Sequence, residues 1–173
     1  MKQKVVLLGD TAVGKSSLMR QFISQDFDQI STTSLSASCA NFTYEGRQIE
    51  IWDTAGQEKY AAITPMYYKK AALIIIVFEI VHTYSFERAK FWYEQVRKTT
   101  QTPVIIVGNM IDLKQRVNQV DIQYFLSQHN LQYFQTSCKT GKGIDTLMKN
   151  IVLHAQEDKM GEKTAKKSSC CCM

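Results

Sequence analysis

Apolar positions along the chain follow two rhythms. Short β-branched runs at residues 4–8, 73–80 and 104–108 are too brief for helices and read as buried strands. Residues 40–44 and 48–52 read as two more strands, joined at Glu45-Gly46-Arg47 in an antiparallel hairpin, and residues 132–136 are a less apolar strand candidate. Between them the spacing turns helical: Leu18, Phe22 and Ile23; Phe86, Ala89, Lys90, Tyr93 and Val96; Ile122, Phe125 and Leu126; then Ile144, Leu147, Met148, Ile151 and Val152. Alternating strands and helices predict an α/β fold, a mostly parallel central sheet with one antiparallel hairpin strand and helices on both faces. Ligands in such folds bind beyond the carboxyl ends of the strands, where each motif below falls.

The first strand runs into Gly9-Asp10-Thr11-Ala12-Val13-Gly14-Lys15-Ser16, and Ser17 follows inside the next helix. This matches the P-loop pattern G-x-x-x-x-G-K-[ST] in the strand-to-helix setting it requires. Phosphates are dense in negative charge, and glycines let the backbone curl until successive N–H groups face one anion. The helix from Ser16 adds its positive N-terminal end. Lys15 would reach the β- and γ-phosphates, and the Ser16 hydroxyl would ligate Mg2+. The fold class is therefore that of a P-loop NTPase.

Composition narrows the picture. At 173 residues and 45% hydrophobic, with two prolines and no linker-like stretch, the chain suits one globular domain. A net charge of +5 without a dense Lys/Arg block argues against a nucleic-acid groove. The apolar run near the N-terminus is too short for a signal peptide, and residues 71–78 are too few to span a membrane, so a soluble body is expected. His82, His129 and His154 lack metal-ligand spacing, while solitary Cys39 and Cys138 suit a reducing cytoplasm.

A second constellation, Trp52-Asp53-Thr54-Ala55-Gly56-Gln57-Glu58-Lys59-Tyr60, follows a strand. Asp53 can hold Mg2+ opposite the Ser16 hydroxyl, Gly56 can offer its N–H to a γ-phosphate, and Gln57 can orient an attacking water. This run resembles the Rab branch of the small Ras-like GTPases. With the P-loop, Met66-Tyr67-Tyr68-Lys69-Lys70-Ala71 and the C-terminal tail, the resemblance spans nearly the whole chain. It implies a G domain over residues 1–156 and a flexible hypervariable tail over 157–173. It further implies a GTP/GDP-controlled, membrane-associated switch in vesicle trafficking, with slow hydrolysis that depends on an activating protein. Catalysis would rest on Gln57 and Lys15. The implied partners are an exchange factor, a GTPase-activating protein, effectors and an escort or GDI-type chaperone, acting on a monomer. Ala12 and Pro65-Met66-Tyr67-Tyr68 lean toward endocytic Rabs, hence toward the cytosolic face of endosomal membranes.

Asn109-Met110-Ile111-Asp112 stands where the family has Asn-Lys-x-Asp. An Asp carboxylate accepts from the guanine ring N–H and exocyclic amine, which adenine cannot match, so Asp112 would select guanine. Asn109 would bond the base and tie neighbouring loops. Ser137-Cys138-Lys139 resembles the family's Ser-Ala-Lys turn, which meets the guanine oxygen and covers the ring, and Phe27 falls where the family packs an aromatic edge on the base. Met110 departs from the pattern: it keeps apolar cover over the base but loses the lysine's charged bond. At roughly 1.5–3 kcal/mol for such a bond, nucleotide binding should be about ten- to a hundredfold weaker than with lysine. In switch I, an ungapped count puts Ser34 on the family's Mg2+-binding threonine; Thr32 or Thr33 would serve if a gap lies earlier. Switch I holds no arginine to act as a finger in cis.

The polar tail ends Cys170-Cys171-Cys172-Met173. Read as C-a-a-X, Cys170 would be farnesylated; read as a Rab tail, two of the three cysteines would take geranylgeranyl groups and give stable anchoring. Two rival readings remain: a degenerate, binding-only or fast-exchanging scaffold, and a P-loop kinase, which lacks an Arg-rich lid and leaves residues 52–60 unexplained.

Overall fold

The computed structural model describes residues 2–24, 38–54, 66 and 68–165. A six-stranded sheet holds β1 (Gln3–Leu8), β2 (Ser38–Tyr44), β3 (Arg47–Asp53), β4 (Leu73–Glu79), β5 (Val104–Asn109) and β6 (Gln132–Gln135) in the order β2-β3-β1-β4-β5-β6. Among the described residues the β2–β3 pair is the one antiparallel pairing. Around it pack α1 (Lys15–Ser24), α2 (Thr83–Thr99), α3 (Gln119–His129) and α4 (Ile144–Ala165).

Side chains of a strand alternate between faces, so β1 feeds two cores. Val6 and Leu8 join Ile74, Ile76 and Phe78 on one face, against Phe86, Ala89, Trp92 and Val96 of α2 and Ile122 and Phe125 of α3. Val5 and Leu7 join Ile49, Ile51, Ile75 and Val77 on the other, against Leu18 and Phe22 of α1 and Leu147, Met148 and Ile151 of α4. Each fully buried Leu or Ile contributes about 1.5–3 kcal/mol, so the doubly covered β1, β4 and β5 form the rigid centre from which the loops project.

The hairpin differs from expectation by one residue. Tyr44 pairs with Arg47, so the connection is Glu45-Gly46 alone, and Arg47 belongs to the ladder. Both turn residues have positive φ (47° and 74°), as a two-residue turn matched to strand twist requires. Ile23 also departs from the expected buried stripe of α1; it is exposed, while Leu18 and Phe22 are buried. Asn118 caps α3 by accepting from Val120 N, and Asn130 ends it in the left-handed region. The backbone of α4 continues to Ala165, beyond residue 156. Among the described residues no helix is long and apolar enough to cross a membrane.

Candidate nucleotide-binding site

Every described candidate residue lies at the carboxyl end of the parallel strands. The loop between β1 and α1 is pressed into the molecule at two glycines. A Cβ on Gly9 (φ +140°) would overlap the Val77 carbonyl of β4, and one on Gly14 (φ +96°) would overlap the Asn109 amide of β5. Ala12 also has positive φ, 65°, a conformation that costs a non-glycine residue. Asp10 Oδ1 accepts from Thr11 N at 3.0 Å, so the Thr11 N–H is already engaged.

Lys15 is buried, and its Nζ donates to the Asp10 carbonyl across the loop at 2.6 Å. Burial pushes its pKa down to about 8, against the opposing pull of the Asp53 and Asp10 carboxylates. The Ser16 hydroxyl donates to Asp53 Oδ2. Asp53 is fully buried at the end of β3, and the next residue, Thr54, anchors that strand end by donating to the Leu7 carbonyl at 2.7 Å. A hydroxyl and a carboxylate in contact, beside a lysine, are hard oxygen donors of the type Mg2+ takes with few protein ligands. The residues present therefore fit that ion.

The second half of the site centres on Asn109, also buried. Its Nδ2 donates to the Val13 carbonyl at 3.0 Å, while its Oδ1 accepts from Thr136 Oγ1 at 3.1 Å and Cys138 Sγ at 3.6 Å. Burial pushes the Cys138 thiol up to about 12, which keeps it a neutral donor. Ser137 Oγ donates to Asp112 Oδ1 at 2.6 Å, orienting an otherwise exposed carboxylate. Met110, the next residue after Asn109, is half-buried at φ 67°, and its carbonyl accepts from Leu113 N at 2.9 Å. Lys139 is exposed at the rim.

The fold thus brings together residues 9–17, Asp53, Asn109, Met110, Asp112 and residues 137–139. Phe27, Ser34, Gly56, Gln57 and Cys170, Cys171 and Cys172 lie outside the described residues. Sequence reasoning missed Gln21. Its buried side chain donates from Nε2 to the Cys138 carbonyl at 2.6 Å and so ties α1 to the turn after β6. The available signal was an amide on the apolar stripe of α1, between Leu18 and Phe22, where a buried polar group needs a partner.

The model of the Ras family matches residues 4–157. The GTP-binding protein ypt5 of Schizosaccharomyces pombe is 36% identical, over 94% of this chain and 82% of its own length. Ras-related protein Rab-5A of Dictyostelium discoideum is 36% identical over 86% of this chain and 78% of its own. Ras-related protein RABF2b of Arabidopsis thaliana is 35% identical over the same shares.

Proposed function

The chain belongs to the Ras family of small GTPases, and from that premise we propose how its own residues carry the switch. It is a Rab-like GTPase of the endocytic branch, a GTP/GDP switch in vesicle trafficking that converts GTP to GDP and phosphate. The observation that supports the assignment of roles most directly is the Ser16–Asp53 contact beside buried Lys15, at the mouth of a loop held from β4 and β5.

In this proposal the N–H groups of residues 12–17 cradle the phosphates, with Gly9, Asp10 and Thr11 shaping the loop. Lys15 supplies positive charge to the β- and γ-phosphates as charge shifts toward the leaving oxygens. Ser16 and Asp53, with Ser34 from switch I, would hold Mg2+, which when bound neutralises phosphate charge. Gln57 orients the attacking water, and Gly56 senses the γ-phosphate. Asp112, aligned by Ser137, accepts from the guanine edge. Asn109 holds base loop and phosphate loop together, Cys138 and Lys139 line the base, and Phe27 packs against it. We propose a G domain over 1–156 and a tail over 157–173, prenylated on two of Cys170, Cys171 and Cys172. That tail anchors a monomer peripherally to endosomal membranes. Exchange factor, activating protein, effectors and an escort or GDI-type chaperone are the partners.

Met110 favours a second reading, a fast-exchanging or binding-only scaffold, because the chain lacks the family's lysine there. Single-turnover GTP hydrolysis separates the two. The switch reading expects slow turnover that Gln57→Leu slows further; the scaffold reading expects no turnover for that substitution to change.

A further inference from the structure

Arg88 of α2 lies outside the residues assigned above, yet it points at the phosphate loop. Its guanidinium carbon stands 4.5 Å from the Phe91 ring centre and 5.8 Å from that of Trp92, and its Nε is 3.8 Å from Asp10 Oδ2. The two side chains are 16% and 15% exposed, so solvent screens the pair only in part. Nε and Nη2 of Arg88 are buried with no hydrogen-bond partner among the described residues. The charge is thus held by aromatic faces and spent on Asp10 through space rather than through a hydrogen bond.

The need for such a charge follows from the loop itself. Asp10 places a carboxylate in a segment otherwise arranged to attract anions, and Thr11 N fixes it there by bonding Oδ1. Uncompensated, that charge would repel phosphate and draw on Lys15, whose ammonium already bonds the Asp10 carbonyl and feels the Asp10 carboxylate. We propose that Arg88 is a positioning residue for nucleotide binding, neutralising Asp10 from α2 so that Lys15 and the loop N–H groups remain available to the phosphates. This rests on the nucleotide-binding reading of the loop.

A double-mutant cycle on the full chain, read as the dissociation constant for GDP with Mg2+, tests it. Arg88→Gln should weaken GDP binding about tenfold with Asp10 intact and by less than about twofold in the Asp10→Asn background. Arg88→Lys should keep most of the affinity. Should the glutamine variant fail to fold, as judged by circular dichroism, Arg88→Met keeps the stem on the two rings and completes the same cycle. Equal losses in both backgrounds, or no loss in either, overturn the role of Arg88 while leaving nucleotide binding intact. Absence of GDP binding by the unsubstituted protein overturns both readings.

Discussion

Asn109, the last residue of β5, donates through Nδ2 to the Val13 carbonyl at 3.0 Å, so one strand end holds the loop that follows another. The bond is buried, and Gly14 has no room for a side chain beside it. Removing the donor leaves a buried carbonyl unsatisfied, at about 1–3 kcal/mol. Asn109→Ala should therefore speed GDP dissociation by about ten- to a hundredfold, measured by stopped flow with a fluorescent GDP. An unchanged rate would mean that the two loops are coupled by other contacts.

Met110 should respond in the opposite sense. The position already has the left-handed backbone in the loop after β5, so a longer polar side chain starts from the same geometry. Met110→Lys restores a charged donor worth roughly 1.5–3 kcal/mol and should slow GDP release by about ten- to a hundredfold. An unchanged release rate would remove Met110 as a determinant of affinity.

Lys15 predicts a proton linkage. Its pKa of about 8 means that the side chain is largely neutral in the free protein near pH 9, whereas phosphate oxyanions favour the ammonium. Binding should then take up as much as about one proton near pH 9 and little at pH 7, and affinity should fall as pH rises past 8. Calorimetry in buffers of different ionisation heat measures the uptake. Lys15→Arg, charged throughout, should abolish the difference, and equal uptake at both pH values would contradict the assignment.

Gln21 is predicted to matter beyond its modest place on α1. Gln21→Ala strands the Cys138 carbonyl, which should lower stability by about 1–3 kcal/mol and quicken GDP loss. Denaturant titration beside the release assay separates the two effects. Lowered stability with unchanged release would confine Gln21 to folding.

The parts of the candidate site legible in the sequence are those whose chemistry sits at strand ends. Lys15, Ser16, Asp53, Asn109, Asp112 and Ser137 each follow a run whose apolar pattern marks a strand, and a parallel sheet delivers such ends to one rim. The links among them were not legible. Gln21 and Cys138 lie 117 residues apart, and Arg88 meets Asp10 only because α2 packs beside β4. No local pattern encodes how two helices are set against a sheet, so these partners emerge only from the packed structure. The hairpin shows the same limit at short range. Arg47 looks like a turn residue by its neighbours, but its pairing with Tyr44 places it in the ladder.

The most direct test of the switch is to release and chromatograph the nucleotide that co-purifies with the full chain made in Mg2+. A guanine-specific switch gives a guanine nucleotide, mostly GDP, at a level that Met110→Lys raises or leaves saturated. An adenine nucleotide, or no guanine nucleotide in either protein, would contradict it.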